Sequence, residues 1–388
     1  MKFWGYRRPD GSVGIRNHVL ILATVGCAAE TARLTAENLH GAVSFINQNG
    51  CGESAGNLRR TRDVLIGMAA NPNVYGVVAI GLGCEINKMD DFLAELRLRT
   101  KKPVEHLLIQ EEGGTVSTVA KATKLAQRMI VEASRCRREE CDISELLLGV
   151  ECGGSDATSG LVSNPVMGLV SDRLVALGGT SMFSETVEMI GAEHLLARRA
   201  ATPEVARRIL DVVRFREEEQ KAAGEDVRKT QPSPGNKDGG ITTLEEKSLG
   251  CIHKGGSTPI MEMVDCALPP TKKGLVLMDT PCYDMLSTTA KAAAGCQLIV
   301  FTTGRGNAIG NAVVPVMKVT ANGDTFRRME DNLDLDMSPV LEQNVSLEKM
   351  ADVTMENILE TLSGKLTKAE VLKLGYSEAV ISRVCEYC

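Results

Sequence analysis

The chain has 388 residues, of which 43% are hydrophobic, 24% charged and only 3% aromatic, and its formal net charge at pH 7 is -6. This length and apolar content allow a large core and more than one domain. The acidic balance and the few aromatic side chains exclude an evident nucleic-acid surface, and no apolar run is long enough to span a bilayer. Because the N-terminal stretch lacks the apolar segment of a secretory signal, we expect a cytoplasmic globular protein. Its twelve cysteines then indicate buried thiols, metal ligands or catalytic sulfur rather than disulfides.

The first 140 residues alternate apolar, β-branched runs with amphipathic helical patterns. This alternation is typical of βαβ units that build a parallel sheet. The pattern lapses near residues 137–141, where charge is dense, and we predict a domain boundary there. The predicted strands of this first domain, residues 1–140, lie at 19–25, 43–46, 77–80 and 104–110.

The second predicted domain, residues 141–388, repeats the α/β plan. It opens with a strand at 146–150 that runs into a glycine-rich turn, and later apolar runs restore the strand pattern. Residues 222–240 are rich in Pro, Gly and charge, which predicts a loop, and we expect an active-site loop near 222–256. The tail after residue 347 is predicted to be helical and solvent-facing. The predicted fold class is therefore α/β, with two parallel-sheet, Rossmann-like modules and a site between the carboxyl ends of their strands.

Four predicted strands end close to a cysteine: Cys27, Cys51, Cys84 and Cys152. Glycines at these strand ends permit tight turns and close approach of a ligand. Thiolates select iron, zinc or iron–sulfur clusters, so Cys51, Cys84 and Cys152 are the predicted metal ligands. The alternative is that each thiol is a small buried hydrophobe. The terminal pair Cys385 and Cys388 has a zinc-like spacing but no partner pair, and we interpret it as incidental.

Polar residues follow the same strand ends. Ser155 and Asp156 lie in a CGGSD turn whose backbone N–H groups suit an anion such as a carboxylate. Glu185 precedes Glu188, and paired acids at a strand end suit a base or a metal ligand, although Glu188 also fits a solvated acid in the first turn of a helix.

Cations follow in two further segments, PGNKDGG and TTLEEKSLG, and in the turn TTGRG. Lys237 and Lys247 suit substrate binding but also fit plain surface lysines, while the guanidinium of Arg305 suits bidentate recognition of a carboxylate. These residue types in these positions therefore predict an acidic small-molecule substrate.

Several long motifs resemble the catalytic region of the altronate and galactarate dehydratase family. They are YRRPDGSVGIRN, GLGCE, ECGGSDATSG, SETVEMIGAEHLL, PGNKDGGITTLEEKSLG and FTTGRG followed by PVMKVT, and the likeness covers about residues 5–338. The resemblance implies a hydro-lyase that acts on sugar acids and depends on iron, as Fe²⁺ or an iron–sulfur cluster, or on another divalent metal. The residues predicted within these motifs to bind substrate are Ser155, Asp156, Asn236, Arg305 and Lys318.

The resemblance also implies a partner and a choice of substrate. Full-length relatives carry a small β-rich domain of the SAF type, and split relatives encode it separately, so we expect a small-subunit partner in a homo- or hetero-oligomer. The stretches GRGNAIGN and DLDMS resemble more closely the large subunit of sulfolactate sulfo-lyase, a sister group that eliminates sulfite. That sister group tends to lose cysteines at the positions of Cys51 and Cys84, which this chain keeps.

Both sisters perform β-elimination from a 2-hydroxy acid. We expect a metal to absorb the charge that develops on the substrate, with Lys237, Lys247 and Arg305 holding its carboxylate. A lysine or Glu185 is the predicted base. A non-catalytic binding subunit with the same fold is the alternative, and the many charged residues in buried-looking segments argue against it.

Overall fold

The structure, a computed structural model, describes residues 1–375 and confirms the predicted α/β class with parallel sheets. The Cys385 and Cys388 pair lies outside the described residues. In the first 142 residues the strands are β1 (Lys2–Arg7), β2 (Val13–Gly14), β3 (His18–Ala23), β4 (Ala42–Phe45), β5 (Val74–Gly81), β6 (Val104–Leu108) and β7 (Glu139–Asp142). The helices there are α1 (Ala29–Glu37), α2 (Ala55–Ala70), α3 (Met89–Arg99) and α4 (Thr115–Ala133).

A four-stranded parallel sheet forms the centre of this first module. Its strand order is β4-β3-β5-β6, and helices from the βαβ connections cover it. The strands β3 and β5 read as continuous apolar runs because nearly every residue in them is buried on one face or the other. The chain steps from β3 to β4 on one side and then to β5 on the other, so the order reverses between β3 and β5.

A small antiparallel sheet, β2-β1-β7, was not predicted from the sequence. Its strands have two to six residues, too short for a clear alternation signal. In β1 only Phe3 and Gly5 are buried, so one face of the strand covers the core. Residues 139–141, at the predicted boundary, form most of β7 and pair with β1.

The second module is built on a seven-stranded parallel sheet with the order β10-β11-β9-β8-β12-β13-β14. Its strands are β8 (Leu147–Cys152), β9 (Thr180–Phe183), β10 (Ile260–Val264), β11 (Gly274–Met278), β12 (Leu298–Thr302), β13 (Val316–Thr320) and β14 (Leu335–Asp336). Its helices are α5 (Asn164–Ala176), α6 (Glu193–Arg198), α7 (Pro203–Ala222), α8 (Val227–Thr230), α9 (Pro234–Asp238), α10 (Leu244–Ile252), α11 (Asp284–Ala293), α12 (Gly323–Arg328), α13 (Pro339–Glu342), α14 (Leu347–Leu362) and α15 (Lys368–Val371).

The strand order of this sheet reverses at β8. The chain first builds outward on the β9 side and later returns to add β12, β13 and β14 on the other side. In open α/β sheets the ligand crevice lies outside the carboxyl ends of the strands at such a reversal. The end of β8 is therefore the place to search for a site.

Two expectations about local structure need correction. The segment 222–256 is not a structureless loop, because α8, α9 and α10 form within it, each started by a side-chain cap from Asp226, Ser233 or Thr243. The tail is helical as predicted, but it does not simply face solvent. The helix α14 packs on α5 and buries one face, including Met350 and Ile358.

The two modules meet where α2 packs against α11. A Cβ added to Gly67 in α2 would lie 2.3 Å from the carbonyl oxygen of Ala293, so only glycine fits at this contact. Asn71 reinforces it, because its Nδ2 donates to the carbonyl oxygens of Ala292 at 2.7 Å and Cys296 at 3.0 Å.

This contact makes a stability prediction with an internal control. Gly67→Ala is expected to lower the free energy of unfolding by about 1–3 kcal/mol, because the methyl group must push two helices apart. Gly56→Ala, in the same helix with open space around it, is expected to be neutral or to raise that free energy by up to about 1 kcal/mol. Urea unfolding of both variants checks this, and equal midpoints would contradict it.

Within residues 1–375, no helix combines the length and the apolar character that crossing a membrane requires.

Candidate active site

A cluster of buried ionisable side chains lies at the carboxyl ends of β8 and β9. Some of its members end β8 or follow β9 in a short 3₁₀ turn, and the others come from α10, the turn after it and α11. Burying so many ionisable groups is costly, and such clusters concentrate at functional sites. The members are Glu151, Cys152, Glu185, Glu188, Lys247, Cys251, Lys254 and Lys291.

Three of these side chains form a triangle that can hold a metal ion. The Sγ atoms of Cys152 and Cys251 are 3.6 Å apart, and Oε2 of Glu188 lies 3.5 Å from the first and 3.0 Å from the second. Two thiolates that bind one ion at about 2.3 Å in tetrahedral geometry are themselves about 3.8 Å apart, so this spacing is close to a coordination edge. Within residues 1–375 this is the one group of three or more Cys, His, Asp or Glu ligand atoms lying within 4.8 Å of one another.

Lys254 caps this triangle. Its Nζ lies 3.0 Å from Sγ of Cys152 and 3.1 Å from Sγ of Cys251, and 3.7 Å from the Glu188 carboxylate. The pKa of Lys254 would fall on burial alone, but the two cysteines and the Glu188 carboxylate raise it well above its ordinary value. One face of the triangle therefore already carries a cation, and a metal would use the other face or displace the ammonium.

Glu188 is held as a carboxylate. Burial alone would raise its pKa, but Lys247 and Lys254 outweigh burial and lower the pKa to about 2. The Nζ of Lys247 lies 3.1 Å from Oε1 of Glu188 and donates to Oε1 of Gln231 at 2.9 Å. In contrast, the hydrogen bond with Cys251, together with burial, raises the pKa of the Cys152 thiol. The triangle thus combines the ionised Glu188 carboxylate with the Cys152 thiol, whose proton a bound metal would displace.

Glu185 sits in an unusual backbone conformation beside this group. Its φ is +73°, in the left-handed region that non-glycine residues seldom occupy, and its N–H donates to Oγ1 of Thr280 at 3.0 Å. Burial, followed by the neighbouring Glu151 and Glu188 carboxylates, raises its pKa well above the ordinary value. Its Oε2 atom accepts no hydrogen bond and lies 3.9 Å from Nζ of Lys254. These surroundings favour the neutral, protonated form of Glu185, which is suited to donate a proton.

A fully buried ion pair lies behind Glu185. Nζ of Lys291 contacts the Glu151 carboxylate and the hydroxyl groups of Ser184 and Ser287, while Ser287 donates to Glu151 at 2.5 Å. Burial would raise the pKa of Glu151, but Lys291 opposes burial and the pKa is lowered. The pair ties the ends of β8 and β9 to α11 and supports the geometry in front of it.

A narrow cavity reaches the metal-capable group from the side of the glycine-rich turn. Its volume is about 40 Å³, room for little more than one water molecule, and Ser155, Asp156, Lys247 and Cys251 are among its lining residues. Asn236 closes over this turn, because its Nδ2 donates to the Ser155 carbonyl oxygen at 2.9 Å. Two predicted substrate-binding residues thus share a cavity with the buried cluster.

The carboxylate of Asp156 is already used within the turn. It accepts hydrogen bonds from Oγ1 of Thr158 at 2.7 Å, from the N–H of Ser159 at 3.1 Å and from Nδ2 of Asn322 at 2.8 Å. A Cβ at Gly304 would meet this side chain at 2.1 Å, so the two glycine-rich turns pack directly on each other. The contacts of Asp156 fix the shape of the turn.

Three other residues predicted from the sequence are not members of the buried cluster, although the N–H of Arg305 donates to the Gly154 carbonyl oxygen at 2.8 Å. Lys237 in α9 and Arg305 are exposed. Lys318 is buried in β13, where its Nζ donates to the Ile309 carbonyl oxygen at 2.7 Å, and burial lowers its pKa to about 8.

The predicted metal trio is divided between the two modules. Cys152 belongs to the buried group, whereas Cys51 and Cys84 are exposed in the first module and are not members of it. The partners of Cys152 are Glu188 and Cys251, and the assignment of Cys51 and Cys84 as further metal ligands stays a prediction. The strand-end pattern did not show that Cys51 and Cys84 follow strands of the first sheet whereas Cys152 ends a strand of the second.

Sequence reasoning missed Cys251 and Lys254. For Glu188 it weighed a base or metal ligand against a solvated acid, and the residue is 5% exposed. A signal was present, since Cys251 and Lys254 are three residues apart and therefore share a helical face. Nothing local, however, indicated that this face covers the end of β8.

Asp284, the first residue of α11, was also missed. It is partly exposed, its Oδ2 accepts from Nδ2 of Asn307 at 2.6 Å, and a Cβ added to Gly153 would lie 2.5 Å from it. Burial, with help from the Glu151 and Glu188 carboxylates, raises its pKa to about 7. A partly accessible carboxyl group of that pKa, next to the residue that follows Cys152, is suited to general acid–base chemistry.

The chain is similar to known enzymes over most of its length. Two family models match: the C-terminal domain of D-galactarate/altronate dehydratase over residues 143–386, and the second domain of D-galactarate dehydratase/altronate hydrolase over residues 5–134. The (2R)-sulfolactate sulfo-lyase subunit beta of Chromohalobacter salexigens is 38% identical over 388 residues, covering 99% of this chain and 98% of that protein.

Two dehydratases are similar over most of the chain. The altronate dehydratase of Bacillus subtilis is 34% identical over 381 residues, covering 95% of this chain and 75% of its own length. The galactarate dehydratase (L-threo-forming) of Escherichia coli is 34% identical over 386 residues, covering 94% of this chain and 73% of its own length. All three relatives are lyases by name, so the chain belongs to the D-galactarate/altronate dehydratase family of lyases.

Proposed function

We propose that this protein is a metal-dependent hydro-lyase that removes water from a sugar acid such as altronate or galactarate and yields a 2-keto-3-deoxy acid. The names of the dehydratase relatives support the reaction class. The observation that carries the proposal is the buried triangle of Cys152, Glu188 and Cys251 beside Lys247, at the carboxyl end of β8. Hydroxide is a poor leaving group, so a site able to hold a Lewis acid favours loss of water.

The donor set of the triangle fits a divalent transition metal. Two thiols and one carboxylate match iron or zinc better than magnesium or calcium, which prefer all-oxygen sites. We propose iron, held by Cys152, Cys251 and Glu188. When bound there, the metal would polarise the substrate carboxylate and hydroxyl groups and stabilise the charge that develops on them.

The protein side chains supply the remaining steps. Lys247 is positioned to attract the substrate carboxylate, because its ammonium borders both the triangle and the cavity. Asp284 accepts the proton from C2, which leaves an electron pair that forms the C2–C3 double bond. The C3 hydroxyl departs as water with a proton from Glu185, whose pKa is raised. The resulting enol tautomerises to the 2-keto product.

This assignment predicts a pH dependence. A base must be deprotonated, so kcat/KM should rise with pH and level off above the pKa of Asp284, near 7. Asp284→Asn should lower kcat by roughly 100-fold or more and remove that limb of the profile. Steady-state rates from pH 5.5 to 9 check this. Persistence of the same limb in the variant would assign the base to another group.

Folding stability offers a second readout for Asp284. Its folded-state pKa is raised above its unfolded value, so the wild type loses stability as pH rises from about 4 to about 7. Asn cannot ionise, so Asp284→Asn should be more stable relative to wild type at pH 8 than at pH 5. Thermal unfolding at the two pH values measures this without any assay of turnover.

A second candidate function is the elimination of sulfite from sulfolactate, giving pyruvate. The sulfo-lyase subunit matches this chain over 98% of its own length, whereas the dehydratases match over about three quarters of theirs. Sulfite leaves carbon far more readily than hydroxide does, so this reaction has less need of a Lewis acid. We also propose a separate small subunit as partner, supported by the subunit name of the same relative.

One assay separates these candidates. The protein is purified without oxygen, supplied with Fe²⁺, and tested alone and with a small subunit from the same genome on altronate, galactarate and sulfolactate. A 2-keto-3-deoxy acid supports the hydro-lyase, and sulfite supports the second candidate. Absence of any product from the loaded complex with all three substrates would contradict both.

A further inference from the structure

The two sulfur atoms of the buried triangle are close enough to react with each other. Sγ of Cys152 lies 3.6 Å from Sγ of Cys251, which is van der Waals contact between two sulfur atoms, and both thiols are free. A disulfide bond is about 2.05 Å long, so the two atoms need to approach by only about 1.5 Å. Cys152 is the last residue of β8 and Cys251 the last but one of α10, so neither lies in the middle of an element that would resist this movement.

The two thiols differ in their access to small molecules. Cys251 is among the residues that line the cavity of about 40 Å³ beside the glycine-rich turn, whereas Cys152 does not line that cavity. This volume holds little more than one water molecule, so hydrogen peroxide can occupy it but a molecule of the size of glutathione cannot. We therefore expect Cys251 to meet an oxidant first and Cys152 to react second.

Lys254 is placed to assist both of these steps. Its Nζ lies 3.0 Å from Sγ of Cys152 and 3.1 Å from Sγ of Cys251. The Lys254 side chain is fully buried, so its positive charge acts on both sulfurs with little screening by water. An ammonium group beside a cysteine stabilises negative charge on the sulfur, which is the form that attacks an oxidant. On the other side, Cys251 donates a hydrogen bond to Oε2 of Glu188 at 3.0 Å, which orients its S–H bond.

We propose that Cys251 and Cys152 are a peroxide-responsive thiol pair, and that oxidation closes a disulfide bond between them. In the first step, Sγ of Cys251 attacks one oxygen of hydrogen peroxide and the O–O bond breaks. The products are a sulfenic acid on Cys251 and one water molecule, which carries away the thiol proton. In the second step, Sγ of Cys152 attacks the sulfenic sulfur, the S–O bond breaks, and a second water leaves with the proton of Cys152. The two thiols lose two electrons, which reduce one peroxide to two waters.

The disulfide changes what the triangle can bind. Metals are bound by the thiolate form of cysteine, and a disulfide has no thiolate. Oxidation therefore removes two of the three ligand atoms at once and leaves the Glu188 carboxylate with Lys247 and Lys254. The pair thus acts as a redox switch on this site. Its chemistry does not require a metal in the triangle, although the loss of turnover that it would cause rests on the proposed function.

The test identifies the bond itself. Metal-free protein is treated with a small molar excess of hydrogen peroxide, unfolded in an alkylating reagent, and cleaved without reduction by a protease that cuts after glutamate. Fragments 152–185 and 247–262 then carry one cysteine each, Cys152 and Cys251. We expect the two fragments to be linked, with a mass about two hydrogens below their sum. Oxidised glutathione in place of peroxide should give no linked pair. Absence of the linked pair after peroxide would overturn the proposal, and an equal yield with oxidised glutathione would overturn the assigned route through the cavity.

Two variants establish the order of the steps. Cys152→Ser lacks the second thiol, so the sulfenic acid on Cys251 should accumulate and be trapped by dimedone, on unfolding, in fragment 247–262. In Cys251→Ser, fragment 152–185 should stay unmodified after the same treatment. The opposite pattern, with dimedone on Cys152 and none on Cys251, would contradict the assigned roles.

Cys282→Ser is the matched control, because this half-buried thiol precedes α11 in the same module but lies outside the triangle. It should form the linked pair in the same yield as the wild type. The Zn²⁺ bound to the triangle, measured as the difference in content between the wild type and Cys251→Ser, should be lost after peroxide treatment. If the two proteins bind equal Zn²⁺ before treatment but the wild type still forms the linked pair, the metal assignment fails and the thiol pair stands.

Discussion

Cys251→Ala is expected to empty the buried metal site and abolish turnover. Cys251 provides one of the three ligand atoms of the triangle, and its Sγ lies 3.0 Å from Oε2 of Glu188. Loss of one thiolate from a three-ligand set should weaken metal binding by more than the roughly 100-fold that loss of an outer-shell partner costs. Because the proposed reaction needs the metal to stabilise developing charge, kcat should fall with metal content.

The measurement is the ratio of bound metal to protein, followed by competition with a chelator to give the dissociation constant. Cys266→Ala is the control, since this thiol lies in the same module outside the triangle and burial raises its pKa to about 12. It should bind metal like the wild type. A Cys251→Ala protein that keeps both metal and activity would remove this residue from the site.

Lys291→Met is expected to cause the largest loss of stability, about 3–5 kcal/mol in the free energy of unfolding. Both Lys291 and Glu151 have fully buried side chains, so removal of the ammonium leaves a carboxylate without its counter-charge in the interior. With Lys291 gone, burial is less opposed and the pKa of Glu151 rises. The deficit should therefore be larger at pH 8 than at pH 5, because ionisation becomes costly in the folded state only.

Two further proteins isolate the cause. A Lys291→Met/Glu151→Leu variant should recover most of the lost stability, since no unpaired charge remains. Lys121→Met breaks an exposed pair with Glu112 and should change the free energy by less than about 1 kcal/mol. Urea unfolding compares all four proteins. If Lys291→Met were no worse than Lys121→Met, the buried pair would not stabilise the fold.

The prediction of local structure succeeded where a periodic pattern is long enough to read. The apolar runs of β3, β5, β8 and β12 predicted parallel strands because each is buried on both faces and nearly every residue must be apolar. The short antiparallel sheet was missed because two to six residues carry no reliable period. The helices within 222–256 were missed because capping residues and glycines in that segment resemble turn residues.

By itself the sequence determined the α/β class, the family and the placement of polar residues and thiols at strand ends. The class and the placement at strand ends follow from backbone geometry and local hydrophobic periodicity, which act over a few residues. The family was identified from the resemblance of the long motifs. Only the tertiary structure decided which thiols meet. Cys152 lies against Glu188 and Cys251, which are 36 and 99 positions away along the chain. They meet because the 3₁₀ turn after β9 and the helix α10 both fold over the end of β8. Such contacts depend on packing between distant segments, and no local pattern encodes them.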